Sequence, residues 1–265
     1  MGKSNYDISV VLPVYQEKDS IEGHISNLIS ILTDIDKSVE IIAVNDGSQD
    51  GTGKRLNDLS AEYPKILRVI HHPYNKGNGE AIKTGIRNAV GELIVCMDSD
   101  GQHDPKDLKE LLPYMKEYDL VVGSRTSLYK GSWSRNFANR IYNWLASKLT
   151  NFKILDLTSG YRVFNAQAIK KFVDILPSKF SYPTTSTLTF LKYGYNVKFV
   201  PIDVKTRKSG GTDTPHNLMP LCQKCHTYIH MVGLNKAARD NFGITMWLRE
   251  NDWEFCELYK KWRHV

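Results

Sequence analysis

Glu92-Leu93-Ile94-Val95-Cys96-Met97-Asp98-Ser99-Asp100-Gly101-Gln102-His103-Asp104-Pro105 sets a short apolar run directly against carboxylates. A continuous apolar run bounded by turn residues suits a strand buried on both faces, so Ile94 to Met97 reads as a central strand of a parallel sheet. In open parallel sheets, ligands bind beyond the carboxyl ends of the strands. Asp98 and Asp100 fall at that end, where two carboxylates suit a divalent cation shared with substrate phosphates. Gly101 lets the backbone turn back, and Asp104 before Pro105 has the form of a helix cap.

On either side of this stretch, strand and helix patterns alternate. Ile8 to Val14 reads as a strand, and Ser20 as the cap of a helix to about Thr33, with Ile21, Ile25, Leu28, Ile29 and Leu32 at helical spacing. Val39 to Val44 is the next strand; it ends in Asn45-Asp46-Gly47-Ser48, and a helix follows from about Asp50 to Glu62. Leu67 to His71 leads into Gly77-Asn78-Gly79 and a helix through Ala81, Ile82, Ile86 and Ala89. Further along, Lys106 to Met115 reads as a helix and Asp119 to Val122 as a strand ending in Gly123-Ser124-Arg125. Asn139 to Leu149 is an amphipathic helix carrying Ile141, Tyr142, Trp144, Leu145 and Leu149, and such stripes more often face a core than a membrane. Val197 to Val204 closes the series. This alternation predicts an α/β fold with a doubly wound, mostly parallel sheet.

At 265 residues the chain has room for one large α/β domain and a small appendage. No apolar run approaches the roughly 18 residues needed to span a bilayer, and Met1-Gly2-Lys3-Ser4-Asn5 lacks the apolar segment of a signal peptide. The expectation is a cytoplasmic protein, peripheral at the cytoplasmic face of a membrane. A net charge of +6 favours acidic partners such as phosphates, nucleotides or anionic lipid surfaces. Cys96, Cys222, Cys225 and Cys256 are too few and too unevenly placed for a disulfide framework.

Four motifs occur in order: Tyr6-Asp7-Ile8-Ser9-Val10-Val11-Leu12-Pro13-Val14-Tyr15-Gln16-Glu17, then Val44-Asn45-Asp46-Gly47-Ser48-Gln49-Asp50-Gly51-Thr52, then Asn75-Lys76-Gly77-Asn78-Gly79-Glu80-Ala81, then the acidic stretch. Together they resemble inverting family 2 glycosyltransferases, particularly polyprenyl-phosphate sugar synthases of the dolichol-phosphate mannose synthase type, over about residues 6 to 211. The resemblance implies a GT-A fold of the nucleotide-diphospho-sugar transferase type, a nucleoside-diphosphate sugar as donor, Mg2+ or Mn2+ as cofactor, and a polyprenyl (dolichyl or undecaprenyl) phosphate as acceptor. It implies that Pro13, Tyr15, Glu17 and Asp46 contact base and ribose, with Gly77 in the glycine turn beside them. It further implies that Asp98, Asp100 and Gln102 hold the metal, that Arg125 and Arg135 hold the acceptor phosphate, and that Arg207, in the basic loop Lys205 to Thr212, closes over the donor diphosphate. Carboxylates accept hydrogen bonds from base nitrogens and ribose hydroxyls, and guanidinium forks match phosphate oxygens two at a time.

Asp156-Leu157-Thr158-Ser159-Gly160-Tyr161-Arg162-Val163-Phe164 resembles the family's segment behind the acceptor site. A phosphate monoester, with its second pKa near 6, is already largely a dianion at neutral pH. Such an acceptor needs positioning more than a base at Asp156. The aspartate and tryptophan motifs that processive family members place after this region are absent, which favours a phosphate acceptor over a sugar hydroxyl.

Beyond about residue 212 the chain changes character. His216-Asn217-Leu218-Met219-Pro220-Leu221-Cys222-Gln223-Lys224-Cys225-His226-Thr227-Tyr228-Ile229-His230 resembles the second half of HNH-type nucleases, without their first histidine strand or a second cysteine pair. The expected organisation is a glycosyltransferase domain over 1–211 and a partial HNH-like, mainly helical tail over 212–265. Cys222, Cys225, His226 and His230 are candidate zinc ligands, although adjacent Cys225 and His226 rarely both reach one tetrahedral ion. Cys-x-x-Cys-His is also a haem attachment signature, a chemistry of exported proteins. A nucleic-acid-binding or nuclease protein working through the tail is the alternative. Residues 213–265 hold seven Lys and Arg against six Asp and Glu, which gives a phosphate backbone little to bind.

Overall fold

The computed structural model describes residues 6–125, 133–179 and 181–203. The apolar runs become strands Ile8–Val14 (β1), Val39–Asn45 (β2), Leu67–His71 (β3) and Leu93–Cys96 (β4), and Leu120–Arg125 (β5), Arg162–Asn165 (β6) and Val197–Ile202 (β7) complete a seven-stranded sheet in the order β3-β2-β1-β4-β6-β5-β7. β1 is buried along its whole length. It pairs in parallel with β2 from Ile8 opposite Val39 to Val14 opposite Asn45, and with β4 from Ile8 opposite Leu93 to Val11 opposite Cys96. A strand covered on both faces needs apolar residues at odd and even positions alike, which is why β1, β2 and β4 read as unbroken runs.

Helices Ile21–Thr33 (α1), Thr52–Glu62 (α2) and Asn78–Asn88 (α3) connect the first four strands. Ile21, Ile25, Leu28 and Leu32 of α1 join Leu56 and Leu59 of α2 over Ile8, Val10 and Leu12, and Leu108 and Leu111 of the short helix Leu108–Leu111 (α4) extend the same core. Gly85 of α3 rests on the side chain of Val11, so α3 covers the opposite face. Both faces of the sheet are therefore wound, as the alternation predicted. Trp133–Thr150 (α5), Ala166–Phe172 (α6) and Tyr182–Lys192 (α7) follow. Phe164, Phe172, Phe190 and Tyr195 stack their rings together and fix β6, α6 and α7 to one another.

Several boundaries differ from the sequence reading. Ser20 stands at the cap position of α1, but its hydroxyl donates to the Glu17 carboxylate and accepts nothing from the helix. α2 starts at Thr52, because Gly51 sits at φ 96° and Asp50 folds back to accept from Thr52 N at 3.0 Å. The expected helix from Lys106 to Met115 is one α-turn between two 3-10 turns, Pro105–Asp107 and Leu112–Lys116, each of which carries within its first two residues a proline that has no N–H to give. α5 begins at Trp133, six residues before the expected Asn139. Tyr142 and Ala146 of α5 are buried, but Trp144 and Leu149 stand 61% and 78% exposed, so the apolar stripe does not wholly face a core. β7 ends at Ile202, and Val204 lies outside the described residues.

β6 is the one strand of the sheet that runs antiparallel, pairing with β4 (Cys96 opposite Arg162) and β5 (Val122 opposite Arg162). The chain returns from α5 at the carboxyl edge of the sheet, so the strand entered from there has to run back the other way. Among the described residues no helix is long and apolar enough to cross a membrane. The chain divides into two units, Met1–Gly210 and Gly211–Val265, and the second lies outside the described residues.

Candidate active site

The carboxyl edge of the sheet collects the polar side chains. At the ends of β1 to β3, Asp46 is buried, and its carboxylate accepts from Lys76 N at 2.9 Å, Gly77 N at 2.8 Å and the His72 ring at 2.7 Å. Asp46 thereby ties the loop after β3 to the end of β2. Gly77 takes φ 100°, and a Cβ there would lie 2.6 Å from the Ser178 carbonyl, so only glycine fits this turn. His72 is held from its other nitrogen by the Thr84 hydroxyl at 2.9 Å. Alongside, Asn45 bridges the His71 ring at 3.0 Å and Ser48 N at 3.2 Å.

Pro13 lies near the buried carboxyl end of β1, and its carbonyl accepts from the Ser99 hydroxyl at 2.9 Å. That bond ties the acidic motif to the tip of β1. Tyr15 beyond it is 44% exposed, whereas Glu17 is buried and its backbone N–H donates to the Thr52 hydroxyl at 3.0 Å. Between them Gln16 adopts φ 54°, a left-handed conformation that is rare without glycine and recurs at functional sites. Ser48 accepts from Gln16 N at 3.0 Å and helps hold it there.

Asp98 and Asp100 follow directly on the end of β4. Asp100 is buried and accepts from Gln102 N at 3.0 Å, which closes the turn around Gly101 at φ 75°. Asp98 lies against the backbone of Gly160, so close that a Cβ on Gly160 would sit 2.6 Å from Asp98 Oδ2. Among the described residues no three His, Cys, Asp or Glu side chains converge as a self-sufficient metal cage. Two carboxylates and one amide are hard oxygen donors, a set that fits Mg2+ or Mn2+ completed by substrate phosphate and water rather than zinc.

His103 follows the motif inward. It is buried, its Nδ1 has no hydrogen-bond partner, and its ring lies 5.2 Å from that of Tyr161. Burial, opposed by the charge of Asp100, pushes His103 down to about 4, so the ring is neutral at physiological pH.

At the end of β5 the Arg125 guanidinium meets Asp156 edge to edge, Nε to Oδ2 at 2.8 Å and Nη2 to Oδ1 at 2.9 Å, with Thr158 Oγ1 a further acceptor at 2.5 Å. Burial acts to raise the Asp156 carboxyl, but the hydrogen bonds and charge of Arg125 outweigh it and hold the group below the ordinary carboxylate range. Behind this pair Arg162 is fully buried. It donates to the carbonyls of Ser159 at 2.7 Å and Leu157 at 2.9 Å, and to Thr187 Oγ1 at 2.6 Å. Burial pulls its guanidinium down to about 10, which leaves it charged at neutral pH.

The sequence model of Glycosyl transferase family 2 matches residues 9–173, more than half of the chain. The chain is a family 2 glycosyltransferase. An uncharacterized glycosyltransferase of Synechocystis is 30% identical to it over 207 residues, covering 78% of this chain and 64% of the relative. A dodecaprenyl-phosphate galacturonate synthase of Rhizobium johnstonii is 29% identical over 167 residues, covering 62% of this chain and 49% of the relative. An undecaprenyl-phosphate mannosyltransferase of Micrococcus luteus is 28% identical over 219 residues, covering 77% and 85%. This glycosyltransferase thus spans about half to two thirds of the first two relatives. The solved structure of glucosyl-3-phosphoglycerate synthase from Mycobacterium tuberculosis with Mn2+, UDP-glucose and phosphoglyceric acid superposes with a TM-score of 0.58 at 21% identity, covering 79% of this chain and 74% of that one, a likeness of fold. Residues 202–231 match the model of HNH endonucleases.

The edge of this glycosyltransferase brings together Pro13, Tyr15, Glu17, Asp46 and Gly77 at the β1–β3 tips, Asp98, Asp100 and Gln102 at β4, and Arg125 at β5. Arg135 belongs to α5, but its side chain lies outside the described residues, as do Arg207 and the Cys and His residues of the tail. Gln16, His72, His103, Gly160 and Arg162 also stand at this edge, and the sequence assigns none of them an individual role. His103 carried a signal, a histidine wedged between the acidic motif and the Asp104–Pro105 cap. Arg162 carried none, because an arginine inside an apolar strand looks the same whether it is buried or turned outward.

Proposed function

We propose that this glycosyltransferase moves a sugar, with inversion and with a divalent metal, from a nucleoside diphosphate to a polyprenyl phosphate at the cytoplasmic face of a membrane. The observation that carries the reading is the shared rim: one loop lies against Asp98 at Gly160 and grips Arg125 through Asp156 at 2.8 and 2.9 Å, so a leaving diphosphate at the acids and an attacking phosphate at Arg125 would be neighbours. Relatives named for dodecaprenyl- and undecaprenyl-phosphate support the lipid acceptor.

Each residue then has a chemical task. Pro13, Tyr15 and Glu17, with Asp46 and Gly77 behind them, shape the nucleoside pocket. Asp98, Asp100 and Gln102 would hold Mg2+ or Mn2+, which would supply charge neutralisation for the leaving diphosphate. Arg207, which follows β7 in the sequence, would share that charge. Arg125, already oriented by Asp156 and Thr158, and Arg135 align the acceptor phosphate for attack on the sugar carbon from the face opposite the diphosphate. No general base is needed, and Asp156, held ionised by Arg125, would be a weak one. Exposed Trp144, Leu149 and Leu155, with Lys148 and Lys153 among them, support peripheral contact with an anionic bilayer.

The test is transfer from a panel of UDP- and GDP-sugars to undecaprenyl phosphate, with Mn2+, Mg2+ or a chelator. The expected result is a glycolipid product that requires metal. Transfer indifferent to chelation would sink the metal role; product only on a small soluble phosphate would sink the lipid acceptor.

We further propose that 1–211 is the catalytic domain and 212–265 an appended partial HNH-like tail. The match of residues 202–231 to HNH endonucleases keeps a second reading in play, action on nucleic acid. Salt-dependent DNA binding or nicking by the full chain, undiminished by Asp100→Ala, is the result that favours it.

A further inference from the structure

Between the acids and the acceptor side runs one loop, Asp156 to Tyr161, and its fixings are unusual. Arg162 is fully buried, yet none of its hydrogen-bond partners is a carboxylate: it holds the Ser159 and Leu157 carbonyls and the hydroxyls of Thr187 at 2.6 Å and Ser186 at 3.4 Å. Burying a charge that no carboxylate hydrogen-bonds is costly, and an apolar side chain of like volume would avoid that cost. What the guanidinium supplies instead is geometry. Its rigid fan of donors reaches two carbonyls of one loop and a neighbouring helix at once, a span no other side chain covers.

The loop so gripped is also pinned from both sides. Ser159 Oγ donates to the Gly123 carbonyl on β5 at 2.5 Å, and the Tyr182 hydroxyl of α7 donates to the Gly160 carbonyl at 3.1 Å. Gly160, held at its carbonyl and just after the gripped Ser159, presents its bare Cα to Asp98. Any Cβ there would lie 2.6 Å from Asp98 Oδ2 and 3.2 Å from its Cγ, so the absence of a side chain defines where that carboxylate lies.

We propose that Gly160 and Arg162 are positioning residues for Asp98: Arg162 fixes the loop, Gly160 forms the wall against the carboxylate, and together they set the cation affinity of the motif. The inference rests on reading Asp98 as a metal ligand. Supports of this kind are worth about 10- to 100-fold in metal affinity when removed.

Gly160→Ala is the sharpest probe. The atoms it strikes are the far end of a flexible side chain and not backbone, so the fold has an easy escape while Asp98 has to swing away. Arg162→Lys keeps the charge but cannot span the same acceptors. The measurement is Mn2+ binding to the full chain by electron paramagnetic resonance, without nucleotide and with UDP or GDP, beside far-UV circular dichroism. Wild type should bind and Asp100→Ala should not. Gly160→Ala and Arg162→Lys should each bind about tenfold or more weakly with an unchanged circular dichroism spectrum. Wild type that binds no Mn2+ under any of these conditions removes the metal reading and this inference with it. Wild type that binds, with Gly160→Ala binding equally well, leaves the metal reading intact and overturns the positioning. If Arg162→Lys loses stability but keeps wild-type affinity, Arg162 is structural only and its part of the proposal falls.

Discussion

Replacing Asp156 by Asn probes the Arg125 pair on its own. The carboxylate is almost fully buried, and it accepts from Arg125 Nε, Nη2 and backbone N, and from Thr158 N at 3.1 Å. Breaking a buried pair by removing one charge typically costs about 3–5 kcal/mol. The Arg125 side chain is 25% exposed and water can recover part of that loss, so about 2–3 kcal/mol is expected. The sign with pH follows from the depressed carboxyl. A group whose folded pKa lies below its unfolded value near 3.9 stabilises fully above that value and loses its contribution as pH falls towards the folded one. Asp156→Asn should therefore unfold at a urea midpoint about 1 M lower at pH 7, taking a slope of roughly 2–3 kcal/mol per M. The gap should narrow as the solution is taken below about pH 4, because wild type then loses the charge that the variant already lacks. Urea titrations followed by circular dichroism at pH 7, 5 and 3.5 read this directly. A gap below about 0.5 kcal/mol at pH 7, or one that stays constant into the acid range, would refute the assignment of Asp156 as an ionised, stabilising partner of Arg125.

Asp100→Ala should abolish metal-dependent sugar transfer while leaving the circular dichroism spectrum unchanged; turnover equal to wild type with added Mn2+ or Mg2+ is the contrary result. Gly77→Ala should lose at least about 1–3 kcal/mol of stability and weaken nucleotide binding in a thermal-shift assay, since it combines φ 100° with a Cβ 2.6 Å from the Ser178 carbonyl. Trp144→Ala should reduce sedimentation with anionic vesicles and leave metal binding alone; equal sedimentation would show that the exposed face of α5 does not meet lipid. Elemental analysis of the purified chain should find far less than one zinc per molecule, and a stoichiometric zinc would mark the Cys222–Cys225 segment as a working metal module.

Periodicity and composition carried the architecture. β1, β2 and β4 could be read because a strand buried on both faces has to be apolar throughout, and α1 because its contacts with the sheet recur at helical spacing. The strand-end acids were legible for a related reason: hydrophobicity stops where the sheet edge meets solvent, so Asp98 and Asp100 mark that edge by contrast with Ile94 to Met97. The short, reversed β6 was not legible, since four residues carry too little pattern and direction depends on which edge the chain enters from. Nor was the fate of each charge. Arg125 reads as a phosphate ligand in isolation, and only the folded chain shows Asp156, 31 residues further on, gripping its fork. Asp46 reads as a nucleoside contact, and the fold adds that it anchors the loop from His72 to Gly77. Arg162 and Gly160 gain meaning only from neighbours brought in from β4, β5 and α7. Local sequence fixes backbone preference and burial periodicity within a few residues, whereas hydrogen bonds and ion pairs form between groups set side by side by chain closure, and that closure is decided by the packing of the whole sheet.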